Sequence, residues 1–101
     1  MESFETILSF CPDRSGQEID WQKIEASSLA PYFRKMSETP QEREWHGEGD
    51  VMTHTRLVCE QLVGLEGFWK LEARRRQELF IASLLHDIGK PQTTRLEDVA
   101  V

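Results

Sequence analysis

The stretch Leu79-Phe-Ile-Ala-Ser-Leu-Leu-His-Asp-Ile-Gly-Lys90 limits what this chain can fold into more than any other. It opens with an uncharged run from Leu79 to Leu85 and ends in the adjacent pair His86-Asp87, with Gly89 and Pro91 behind it. Leu79, Ala82/Ser83 and His86 follow one another at helical i, i+3/i+4, i+7 spacing, as do Phe80, Leu84 and Asp87. Ile81, Leu85 and Ile88 take the remaining directions. The pattern predicts a helix that is apolar nearly all round and buried at the centre of the fold. Gly with Lys and Pro following is a C-terminal stop signal. Two ionisable groups therefore fall at the inner end of a helix with little water about it. An unpaired carboxylate there is costly, and pairing or metal coordination is the usual remedy.

The other segments also read as helical. The first sixteen residues, up to Gly16, fit either a short helix or an extended arm. Asp20 is an N-cap for a helix over 21–29, Pro31 interrupts that pattern, and Tyr32, Phe33 and Met36 suggest a second short turn of helix. Thr39-Pro40 opens a charged loop that runs to Gly49, with Trp45 anchoring it on the core. Asp50 caps a helix over 51–65 whose inner stripe is Val51, Val58, Leu62 and Leu65, with His54, Leu57 and Gln61 beside it. Phe68, Trp69 and Leu71 pack a connection, and Glu72 starts the central helix. No repeat and no β-ladder is legible, so the fold class is all-α.

A chain of 101 residues suffices for one small domain with one modest core. Its net charge of −6 weighs against nonspecific binding to a nucleic-acid backbone, though not against one nucleotide or RNA end held at a single site. Arg74-Arg75-Arg76 reads as a solvated helix face rather than a phosphate track. Cys11 and Cys59 are too few for a disulfide framework and fit free thiols in a reducing cytoplasm. No apolar run approaches the ~20 residues that span a bilayer, so no membrane association is expected.

His54 sits on the apolar side of its helix, where a lone histidine is commonly a satisfied core residue. A second histidine with an aspartate beside it, at the end of another apolar helix, changes that reading. Imidazole and carboxylate together suit Zn, Mn, Fe, Ni or Mg, and three protein ligands leave positions open for water and a phosphoryl oxygen. The alternative from the residues alone is a plain hydrogen-bonded His86-Asp87 pair in a helical protein.

The segments Trp45-His-Gly-Glu-Gly-Asp-Val-Met-Thr-His-Thr55 and Ser83-Leu-Leu-His-Asp-Ile-Gly-Lys-Pro91 resemble the start of an HD-domain metal-dependent phosphohydrolase. They are most similar to the HD domains attached to bacterial tRNA nucleotidyltransferases and to polynucleotide-kinase-like ATPases. The resemblance implies a helical HD-like bundle, with 1–44 an N-terminal helical segment and loop and 45–101 the N-terminal part of the HD domain, in one compact unit. It implies His54, His86 and Asp87 as ligands of a divalent metal (Mn, Ni, Fe, Zn or Mg). His86, Asp87 and Lys90 would serve the chemistry, and Lys90 and His46 would contact substrate. The activity implied is hydrolysis of phosphomonoesters or 2′,3′-cyclic phosphates of nucleotides and RNA ends. The family completes its metal site with a later Asp on a further helix, and here Asp98 is the only later one. A truncated form is therefore expected, with apolar helix faces left open to self-association, or else a non-catalytic helical module that binds or dimerises. Glu48 and Asp50 are candidate supporting groups, Asp50 equally a helix cap.

Overall fold

A computed structural model of the protein describes residues 3–40 and 49–89. Among the described residues there are five α-helices, α1 (Phe4–Leu8), α2 (Trp21–Glu25), α3 (Ala30–Ser37), α4 (Val51–Val63) and α5 (Ala73–Leu85). A 3₁₀ helix, Glu66–Lys70, joins the last two. No strand occurs among them; the only β-type pairing is an isolated bridge between Pro40 and Asp50. The all-α class holds.

Local chemistry explains the boundaries. Ser3 accepts the Thr6 N–H through its side chain and starts α1, which settles the open reading of the N-terminal segment in favour of a short helix. Asp20 caps α2 by accepting from the Lys23 N–H at 3.0 Å. The helix expected to reach residue 29 stops at Glu25. There the Ser27 hydroxyl donates to the Ile24 carbonyl at 2.6 Å and accepts from the Leu29 N–H at 3.3 Å, so a local turn replaces the next helical rung. Pro31 does not interrupt a helix; it falls in the first turn of α3, where its missing N–H would have been unpaired anyway. The Val51 N–H donates to the Thr39 carbonyl at 2.9 Å and ties the end of α3 to the start of α4.

One core joins these elements. Leu8, Phe10, Ile24, Phe33 and Met36 from the N-terminal half meet Val51, Met52, Cys59, Phe68, Phe80 and Leu84 from the other. Full burial of such a side chain is worth about 1.5–3 kcal/mol. Helix α5 packs against α4 and α1, and α3 packs against α4. The inner stripe of α4 is Val51, Met52, Thr55 and Cys59. The expected stripe is corrected: Val58 and Leu62 are half-buried and Leu65 is exposed. The all-round burial expected of α5 is also corrected. It buries Phe80, Ile81 and Leu84 along one face, while Leu79 is 41% exposed. Where the described helices pack on one side of α5, a 3.6-residue period puts the other face outward.

The arginine run has structural work to do. Arg74 lies over the Phe4 ring and pairs with Glu5 at 3.3 Å. Arg76 stacks on Trp69, whose indole N–H donates to the Val63 carbonyl at 2.8 Å. On the far side of α4, Arg56 pairs with Glu25 and lies over Trp21, whose indole N–H donates to Glu60 at 2.7 Å. Cys11 and Cys59 are both free and buried. Burial pushes the Cys59 thiol up to about 12 and the Cys11 thiol up to about 11, the latter against the lowering effect of the Arg76 charge.

Candidate metal centre

The site begins with the cap of α4. The Asp50 carboxylate accepts the Thr53 N–H at 2.8 Å and the Thr53 hydroxyl at 3.1 Å. Asp50 is thus a helix cap. One turn later the His54 N–H donates to the Asp50 carbonyl at 3.1 Å, which anchors His54 in regular helix next to that cap. His54 lies at the edge of the buried stripe, with its side chain 22% exposed.

The other half of the site forms where α5 ends. Helical geometry stops at Leu85, one turn before the expected stop at Gly89. The His86 N–H reaches the Ser83 carbonyl at 3.5 Å, and the Ile88 N–H reaches the Leu85 carbonyl at 3.1 Å. These i to i−3 bonds are the tightened turn common at helix C-termini. Within that turn the His86 Nδ1 lies 2.6 Å from the Ser83 carbonyl oxygen.

The two halves meet at one carboxylate oxygen. Asp87 Oδ2 is 3.0 Å from His86 Nε2 and 3.9 Å from His54 Nε2. The imidazole rings stand 6.0 Å apart, tilted by 58°. One ligand atom from each of His54, His86 and Asp87 lies within 4.8 Å of the others. Nitrogen and carboxylate ligands bind an ion such as zinc at about 2.0–2.2 Å, so two ligands of one ion are at most about 4.4 Å apart. Around a tetrahedral ion that separation is about 3.4 Å, so closing these three side chains onto one ion takes a movement of about an ångström. Among the described residues this is the one group of three or more His, Cys, Asp or Glu side chains so arranged. The triad can hold a metal ion.

The expected surroundings need correction. The pair does not lie in a dry interior: the His86 side chain is 39% exposed and that of Asp87 13%. The cause is the one-sided burial of α5, which brings its end to the surface. His46 and Lys90 lie outside the described residues, as do Trp45, Glu48 and Asp98. The contact that residue types did not signal is the one from His86 to the Ser83 carbonyl, because every residue carries that acceptor. Thr55, next to His54, is fully buried with its Oγ1 unpartnered. No helix among the described residues is long and apolar enough to cross a membrane.

No family model, curated protein or solved structure matches the chain.

Proposed function

We propose that the protein is a metal-dependent phosphohydrolase of HD type that takes a divalent ion on His54, His86 and Asp87 and acts on phosphates of nucleotides or RNA ends. The observation that carries the reading is the convergence of those three side chains, from two separate helix ends, to within 4.8 Å. The same three residues are the ligands implied by the resemblance of Asp50-Val-Met-Thr-His-Thr55 and His86-Asp-Ile-Gly-Lys-Pro91 to HD domains.

When bound, a divalent ion supplies Lewis acidity, charge neutralisation at phosphate and a lowered pKa for water. The chain's own part is positioning. The capped first turn of α4 fixes His54, and the tightened end of α5 sets His86 and Asp87. A ligand set of one carboxylate and two neutral imidazoles leaves a divalent site with net positive charge, which suits an anionic substrate. The exposure of His86 opens the site to an approaching phosphate. Lys90 and His46 would touch that phosphate, as the resemblance implies. The two buried free thiols suit a reducing, cytoplasmic setting.

The test is metal analysis of protein purified without chelator, with His54→Ala and Asp87→Ala beside it, followed by assay of phosphodiester and 2′,3′-cyclic nucleotide substrates with Mn or Ni. The reading expects metal in the parent chain, its loss in both variants and metal-dependent turnover. Metal retained by both variants would refute the site. Metal bound without turnover on any of these substrates would favour the non-catalytic binding module.

A further inference from the structure

The geometry assigns to the main-chain carbonyl of Ser83 the role of choosing which nitrogen of His86 faces the ligand site. The inference rests on the proposed metal centre and deepens it. A carbonyl oxygen can only accept a hydrogen bond, so at 2.6 Å the His86 Nδ1 must carry the proton and donate it. In the neutral ring that leaves the Nε2 lone pair free, and Nε2 is the atom 3.0 Å from Asp87 Oδ2. Two electron-rich atoms at that separation, with a second imidazole nitrogen 3.9 Å from the same oxygen, call for a shared positive charge, which is either a proton on Nε2 or a bound cation. A ligating histidine usually donates its other ring N–H to a carbonyl or carboxylate, which fixes tautomer and ring orientation. Here the acceptor is free to serve because α5 tightens at its end: the competing donor to Ser83, the His86 N–H, stands at 3.5 Å. The helix break and the ligand's orientation are thus one event. Ser83 is a positioning residue, acting through its backbone and not its hydroxyl.

The chain has three histidines, so ¹⁵N-histidine labelling gives three imidazoles to follow by NMR, with a His86→Gln sample assigning one of them. At about pH 8 the neutral ring of metal-free His86 is expected as the Nδ1–H tautomer, in the parent chain and in Ser83→Ala alike. An Nε2–H tautomer would overturn the assignment. Added zinc should move the His86 Nε2 resonance and leave the Nδ1 proton in place. If zinc moves no histidine, the metal centre fails while the tautomer result still decides the role of Ser83. Causation is tested in chains made by chemical synthesis. Replacing Leu84 by its α-hydroxy acid turns the Ser83 carbonyl into a poorer ester acceptor, and zinc affinity should fall by ~10-fold or more. The same replacement at Leu85 removes a helix N–H but leaves Ser83 intact. An equal loss in both would mean helix damage alone and would overturn the inference.

Discussion

Zinc should raise the melting temperature of the parent chain, and Asp87→Asn should abolish that rise. His54 belongs to α4, and His86 and Asp87 follow the end of α5, so the three-ligand site exists only when the core holds those helices together. The unfolded chain keeps at most the adjacent pair. A ligand that binds only the folded state stabilises it by RT ln(1 + [L]/Kd), about 2.7 kcal/mol at one hundred times Kd. For a domain near 100 residues each kcal/mol moves Tm by about 4–8 °C, so the rise should be roughly 10–20 °C, less whatever the unfolded pair retains. Asn keeps the shape of Asp but removes the charge and its affinity for a cation. Without metal, Asp87→Asn should change stability by no more than about 1 kcal/mol. Calorimetry of dialysed protein, with zinc and then with excess chelator, measures both quantities. A zinc shift of the same size in Asp87→Asn, or none in the parent, would refute the reasoning.

Four further outcomes follow from the packing. Phe80→Ala, which empties a fully buried position on α5, should cost about 3–5 kcal/mol in urea denaturation. Thr55→Val should stabilise by about 1 kcal/mol in the same assay, because it removes a buried hydroxyl that has no partner. Asp50→Ala should cost about 1 kcal/mol through the lost cap on α4, read as a lower midpoint at unchanged slope. The thiols set an alkaline limit. The fold holds Cys59 and Cys11 protonated to about 12 and about 11, while in the unfolded chain they ionise near the ordinary 9.0. Their contribution is therefore intact below about pH 9 and is lost as pH rises from there through the folded values, by about 1.4 kcal/mol per thiol per unit at first. Melting curves across that range should fall less steeply for Cys11→Ala/Cys59→Ala.

Much of this architecture was legible from residue order, and the misses share a cause. The caps at Asp20 and Asp50 and the anchoring of Phe68 follow from local chemistry, and the helices begin where those signals stand. Sequence periodicity finds a helix but not the direction from which neighbours cover it. Hence the stripe on α4 turned to Met52, Thr55 and Cys59, and the uncharged run of α5 proved buried on one side only. The break between two short helices and the second helix at Tyr32, Phe33 and Met36 were legible, but the end of the first at Glu25 was not, because the Ser27 turn that sets it depends on a local hydrogen bond. For the site, spacing brought forward His54, His86 and Asp87, which the structure brings together. It could not bring forward the Ser83 carbonyl, since main-chain acceptors leave no trace in residue identity.

The division of the triad between α4 and the end of α5 makes it a gauge of helix alignment. Advancing α4 by a single residue would turn its surface by 100° and shift it by 1.5 Å, presenting Thr53 or Thr55 where the imidazole of His54 now stands. If the triad takes an ion as proposed, that affinity would vanish while the helical content stayed whole. Repacked interiors that pass every test of folding could then be sorted by a zinc titration.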